Sequence, residues 1–298
     1  MAANFYNINN TVQNAIVALE SVVQQGYDLG KKRLEQLKSE VVRDVRQILS
    51  GYNPTVVFND AGIEKQRVVT NNTISTRIER LFKRKAAAFS AKTVAETKPL
   101  FTQVRQAAVQ DYSNIMSEYD EPISELDAED EDHLDLAIEN FGAGYISNID
   151  AFYYNGLRFI YEDLHDRISS NQEVDAINES LDAIDFNENT YNLSQTAHLR
   201  GMYRYATWYQ ARKNGITNFR MDINQDRASD LKPTGQVMKN NLFVRNEDSW
   251  TKKQANNKNP INGLGLHYNS NEYYTPIPDS VIGQAVAWSK KERKAIVA

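Results

Sequence analysis

Apolar residues recur at three- and four-residue spacing through most of the first two thirds of the chain, the signature of helices with one buried face. Over residues 11–49 the clearest stripe is Leu34, Leu37, Val41, Val45 and Ile48, set against a Lys/Glu/Arg face, and a break is expected near residues 26–30, where two glycines fall. The run Ser50-Gly51-Tyr52-Asn53-Pro54 ends this helix, because proline and the residue before it both disfavour helical backbone. Residues 55–58 form a short β-prone run. A second helix is predicted over 73–97, with Ile74, Ile78, Leu81, Phe82 and Phe89 inward, and a third starts at Pro99, with Phe101, Val104, Ala108, Tyr112 and Ile115 as its stripe. Two more are marked by Ile149, Phe152, Tyr153, Leu157, Ile160, Leu164 and Ile168, and by Val174, Ile177, Leu181 and Ile184.

The pattern changes after residue 194. Leu199, Met202, Ala206 and Tyr209 share one helix face with Tyr205 and Trp208 on its flank, so this helix is expected to be covered on more than one side. Ser194 is the expected N-cap, and Lys213-Asn214-Gly215 supplies a basic last turn and a left-handed stop. Phe219, Met221 and Ile223 then alternate with Asn218, Arg220 and Asp222, the period of a strand with one buried face. A turn-rich unit follows over 226–237. Residues 246–262 are rich in Asn and Lys and lack periodicity, so a long loop or arm is expected there. Residues 263–267 and 273–278 read as irregular, and a short segment over 282–297 closes the chain.

This second region resembles the C-terminal core of the head-morphogenesis minor capsid proteins of tailed phages, the family named after the F protein of phage Mu. The elements that resemble it are the helix over 195–212, Gly215-Ile216 with Phe219, Asp226-Arg227, and Gly235-Gln236-Val237. They cover about a quarter of the chain. Many members carry Cys or His pairs near the aspartate turn and a Cys-Arg-Cys near the end. Here Ala228, Asp230 and Gly283-Gln284-Ala285 stand roughly at those places and the chain has no cysteine, so no metal role is carried over. The resemblance implies a protein that binds the portal and the inner head.

Composition narrows the alternatives. The chain has 298 residues, 41% hydrophobic and 24% charged, enough for one sizeable core or two smaller ones. Its net charge of −5 argues against wholesale coating of nucleic acid, though not against a local basic patch. Without cysteine there are no disulfides, thiolate chemistry or Cys-ligated zinc. No signal-peptide pattern opens the sequence, and no run approaches the roughly 20 apolar residues of a membrane span. Between Glu118 and Asp135, ten of eighteen residues are acidic, which makes this stretch the expected linker, with a divalent-ion loop as the competing reading.

Candidate chemistry is sparse. Glu162-x-x-His165 and Asp130-x-x-His133 have the spacing of half-sites in a di-iron helical bundle. The first pair, however, does not share the inward face of its helix, and the second falls in the acidic stretch. His198 and His267 are isolated, and no nucleophile elbow or phosphate-binding glycine loop occurs. Arg77, Arg80, Lys83, Arg84 and Lys85 crowd nine residues of one helix, and Arg200, Arg204, Tyr205 and Trp208 cluster on another. Each group is read either as contact residues for DNA or a protein partner, or as a solvated face and ion pairs.

The expected fold is mainly α: a helical region over 1–120, an acidic linker and helical pair over 121–190, and an α+β module with an extended C-terminal arm over 191–298. The expected function is that of a virion structural protein of a tailed phage, a non-enzymatic minor head component at the portal vertex, acting in head assembly or DNA delivery. Its partners would be the portal or other capsid proteins, with packaged DNA as a further contact, in a multi-copy assembly made in the host cytoplasm, with neither cofactor nor membrane. The alternatives are an obligately oligomeric connector, ring or shell subunit whose polar arms over 246–262 and 268–277 wrap neighbouring copies and, third, a metal-dependent helical-bundle enzyme.

Overall fold

A computed structural model describes residues 8–52, 61–186, 188–223, 236–238, 272–291 and 296–297. The fold is mainly α, with a small α+β module near the C-terminus. Helices α1 (Asn9–Leu49), α2 (Ala61–Glu118) and α3 (Ala128–Ser169) are long, α4 (Val174–Asp182) is short, and α5 (Glu188–Lys213) leads into the sheet. Strands β1 (Asn218–Ile223), β2 (Gln236–Met238), β3 (Glu272–Ile277) and β4 (Ile296–Val297) are joined in the order β3-β1-β2-β4, with helix α6 (Ile282–Lys291) between β3 and β4. The central strand β1 pairs antiparallel with both β2 and β3, and β4 adds to β2 in parallel. The expected features over 55–58, 226–235, 246–262 and 263–271, His267 included, lie outside the described residues.

The chain forms two compact units, each discontinuous in sequence. The first comprises residues 1–26, 98–144 and 193–298, and the second 27–97 and 145–192. All three long helices contribute to both, and each passes from one to the other beside a residue that weakens helix: Gly26, Pro99 and Gly144. In the first unit Val12, Ile16, Leu19, Val104, Ala108, Ile115, Leu134, Leu199, Met202 and Ala206 build the core. In the second the core is Leu37, Val41, Val45, Ile78, Leu81, Phe82, Tyr153, Leu157, Ile168, Ile177 and Leu181.

Several local expectations are overturned. α1 runs unbroken through Gly26: a Cβ there would stand 3.1 Å from Leu199 Cδ1 and 3.4 Å from Leu100 Cδ1, so the glycine serves close helix packing rather than a turn. The α1 stripe ends on Leu49, which is buried, rather than on half-buried Ile48. α2 continues through Pro99 instead of restarting. Just before it the hydroxyls of Thr93 and Thr97 donate to the carbonyls of Phe89 and Thr93, each at 2.8 Å, one turn back along the helix. Ser194 is not an N-cap, since α5 already begins at Glu188.

Half of the acidic stretch, residues 119–127, is irregular chain, and its second part is the start of α3. Asp127 Oδ1 accepts the Asp130 amide at 2.9 Å and Asp130 Oδ2 faces the Asp127 amide at 3.4 Å, a reciprocal capping box. Glu129, Asp130 and Glu131 then occupy the positive end of the α3 dipole. Residues 273–277, expected to be irregular, lie in β3. Pro276 lies in β3, an edge strand, the place in a sheet that tolerates proline.

Three helices end in the same way. Asp120 (φ 54°), Asn171 (φ 56°) and Gly215 (φ 74°) follow α2, α3 and α5 in the left-handed region. In each, the next amide reaches back to the carbonyl five residues earlier: Glu121 to Met116 at 3.1 Å, Gln172 to Arg167 at 3.0 Å, Ile216 to Ala211 at 2.8 Å. Only the glycine announced itself in the sequence, because Asp and Asn tolerate this backbone without advertising it.

Two glycine substitutions are expected to move stability in opposite directions. A Cβ on Gly142 would stand 2.8 Å from Cε2 of the buried Phe101 ring, and one on Gly283 meets nothing within 4 Å. Gly142→Ala should cost about 1–2 kcal/mol, overpacking outweighing the helix gain, whereas Gly283→Ala should be neutral or add up to about 1 kcal/mol, both read by urea unfolding.

Candidate functional site

Helix α5 is the element that gathers polar side chains in the first unit. From Leu199 to Ala211 all its residues are buried except Tyr209, which is half-buried, although the segment carries Arg200, Arg204, Thr207 and Gln210. Burying such groups is costly unless each is hydrogen-bonded or paired. Arg200 donates from Nε and Nη2 to the two carboxylate oxygens of Glu20 on α1, at 2.8 and 2.7 Å. The Tyr203 hydroxyl donates to Asp111 Oδ2 on α2 at 2.7 Å and also meets the Tyr273 hydroxyl of β3. Tyr209 and Lys213 both converge on Asp130 Oδ1 of α3, at 2.9 and 2.5 Å.

The sheet brings a second polar group inward. Arg220 Nε donates to Asp222 Oδ2 at 2.9 Å, Arg220 Nη1 donates to Asn9 Oδ1 at 2.9 Å, and the Thr275 hydroxyl donates to Asp222 Oδ2 at 2.7 Å. Asn218, Arg220 and Asp222 are 3%, 2% and 4% exposed, and Phe219 is 1% exposed. The polar positions of β1 are therefore buried and ion-paired, with Phe219 buried on the other side, and the expectation that the polar positions face solvent does not hold.

These environments set protonation. Burial pushes the Asp111 carboxyl up to about 6, against a smaller lowering by the Tyr273 hydroxyl. Burial also lowers Arg204 to about 10 and holds the Tyr273 phenol well above its usual range. Asp130 is held below the usual carboxylate value, first by Lys213.

The sequence-derived contact residues divide sharply. Arg200, Arg204, Tyr205 and Trp208 face inward: Arg200 is committed to Glu20, Arg204 is 4% exposed, the Tyr205 hydroxyl lies 3.1 Å from His133 Nε2, and Trp208 stacks under the Arg212 guanidinium at 5.4 Å. In the second unit Lys85 bridges Glu40 and Asp44 of α1, and Lys83 pairs with Glu79 one turn earlier at 2.6 Å. Arg77, Arg80 and Arg84 are exposed and make no hydrogen bond or ion pair with described residues.

The di-iron reading finds no assembled site. His133 stacks on Tyr209 at 4.9 Å and Asp130 is taken by Lys213, while Glu162 pairs with Arg158 at 3.6 Å and His165 lies against Tyr161. Among the described residues no three His, Asp or Glu side chains gather where an ion could sit.

Comparison with protein-family models, with curated proteins and with solved structures found no match to this chain. Its own surfaces therefore carry the functional reading. In the second unit a groove of about 250 Å³ runs between α2 and α3, floored by Phe82, Leu157 and Tyr161, with Lys83 and Arg158 on its rim. Tyr154 on this groove is 50% exposed and the neighbouring Phe159 61%. In the first unit a more open groove of about 340 Å³ lies along His133, Leu136, Phe141 and Tyr205, with Leu136 57% exposed. No helix among the described residues is long and apolar enough to cross a membrane.

Two substitutions test the buried polar groups. Asp222→Ala leaves the Arg220 charge buried without its carboxylate and should cost about 3–5 kcal/mol, while Arg220→Met combined with Asp222→Leu should cost far less. For Asp111, the native carboxyl keeps its proton up to about 6 whereas its ordinary value is 3.8. Between these pH values the folded state binds more protons, so the stability owed to this group is greatest at the acid end and falls as pH rises. Asp111→Asn should accordingly gain on the parent as urea melts are moved from acid to neutral pH, the difference levelling off above the native titration.

Proposed function

We propose that the chain is a virion structural protein of a tailed phage, a minor head component that acts by docking on the portal or a neighbouring head protein. The observation that carries this reading is the division of its side chains. The buried ion pairs of the first unit, Arg200 with Glu20 and Arg220 with Asp222, are internal to it, whereas the second unit offers an open aromatic groove lined by Tyr154, with Phe159 exposed on the same helix. A rigid groove with aromatic anchors and charged rims is the anatomy of a protein contact, since aromatic side chains dominate binding energy once desolvated. The partner class comes from the resemblance of residues 195–237 to minor head proteins. The helix of that segment and its left-handed stop at Gly215 are present, and the strand at Phe219 forms the centre of the sheet.

Docking by these means needs no turnover. The groove supplies apolar area, Lys83 and Arg158 orient a partner, and a few copies on a portal ring would gain avidity from its symmetry. Co-expressed with a tailed-phage portal protein from the same genome, the chain should copurify in sub-ring stoichiometry, and Tyr154→Ala with Phe159→Ala should weaken capture by about tenfold or more. Copurification unaffected by these changes would exclude the groove. A closed ring of the isolated protein in mass photometry would make it a connector or shell subunit instead.

A further inference from the structure

The second unit also bears a surface unlike the groove. Residues 71–97 of α2 hold six cations, Arg77, Arg80, Lys83, Arg84, Lys85 and Lys92, against two carboxylates, Glu79 and Glu96. Both carboxylates are already engaged, Glu79 by Lys83 and Glu96 by Arg33 on α1, and Lys85 is spent on Glu40 and Asp44. What remains is Lys92 and a row of exposed guanidinium groups without a hydrogen bond or ion pair to described residues: Arg77, Arg80 and Arg84 recur at three and four residues, so they share one helix face. None of them lines the groove. The same face continues through Ala87, Ala88 and Ala91, which are exposed and small.

We propose that this row binds the phosphodiester backbone of duplex DNA. The three arginines span about 10 Å of helix at about 1.5 Å per residue. Over that length one DNA strand presents about three phosphates. Guanidinium groups suit phosphate better than ammonium because their planar fork bonds two oxygens at once. A protein partner is the weaker fit. Stable protein contacts are anchored on buried aromatic or large apolar groups, and among the described residues the exposed ones, Val17, Leu136, Tyr154 and Phe159, lie on helices other than α2. With a chain net charge of −5, attraction is confined to this patch, so binding is local, independent of sequence and sensitive to salt. This assignment adds a DNA contact to a head component that docks through the groove, and the two surfaces are separable by mutation.

The test is fluorescence anisotropy of the full chain with a labelled duplex of about 25 base pairs across about 50–200 mM salt. Saturable binding is expected, with a log–log salt slope of about −2.7 for three phosphates. Replacing Arg77, Arg80 and Arg84 singly by Gln should each reduce the slope by about 1, and the triple variant should lose the binding while keeping the parent's circular dichroism and Tm. Lys31→Gln with Lys32→Gln, which removes exposed cations of α1, should leave the slope unchanged. No binding at the lowest salt, equal loss with the α1 variant, or full binding by the triple variant would overturn the proposal. Polyglutamate bound as tightly as the duplex, and lost in the same triple variant, would also overturn it by making the row an acidic-protein surface. None of these results bears on portal capture through Tyr154 and Phe159.

Discussion

Helix α5 takes charged and phenolic groups into the interior of the first unit, and the three long helices each answer with one carboxylate. Glu20 of α1 meets Arg200, Asp111 of α2 meets Tyr203, and Asp130 of α3 meets Tyr209 and Lys213. Apolar packing alone is tolerant, since a core of the right volume accepts several registers. A buried guanidinium accepts only the arrangement that brings its carboxylate within bonding distance, because the alternative is a charge stranded away from water. The carboxylates therefore choose among packings that the hydrophobic stripes leave nearly equivalent. Gly26 and Gly142 add steric selection, each admitting a neighbouring side chain where a methyl group would crowd it.

The sheet extends the same logic. Its central strand puts Arg220 and Asp222 on a buried face, closed by Thr275 of the edge strand and by Asn9 at the start of α1. The Tyr203–Tyr273 contact ties the edge strand to α5 as well. A unit whose reactive-looking groups are consumed in holding it together is suited to being a rigid platform. The proposed contacts are built instead on two surfaces of the second unit, the aromatic groove and the arginine row.

Much of the helical layout was legible because its cause is local. The stripes of Ile78, Leu81 and Phe82, or Val104, Ala108 and Ile115, repeat at the helix period and are buried as expected. Gly215 and the strand at Phe219 were legible for similar reasons, one by its backbone freedom and the other by alternation. What was missed depends on partners distant in sequence. Pro99 looks like a helix boundary, but tertiary packing carries α2 through it. The acidic run reads as a linker by composition, and residues 119–127 are irregular, but composition did not show that Asp127, three residues before Asp130, caps α3. Arg220 and Asp222 look solvent-facing until each is seen to satisfy the other. Asp111 left a trace: it falls on the same helix face as Val104, Ala108 and Ile115, and a carboxylate on a buried stripe implies a bonded partner. The basic cluster over 77–85 divides into spent and bare residues only once the neighbouring helix is in place.

The claim that paired charges set the register of the first unit is tested most directly by a double-mutant cycle on Glu20 and Arg200, using Glu20→Gln and Arg200→Met and unfolding in urea. The account predicts that each single change costs about 3–5 kcal/mol and that the double variant recovers most of the loss, giving a coupling of several kcal/mol. Single costs below about 1 kcal/mol that simply add would contradict it, and would leave apolar packing as the sole determinant of how these helices meet.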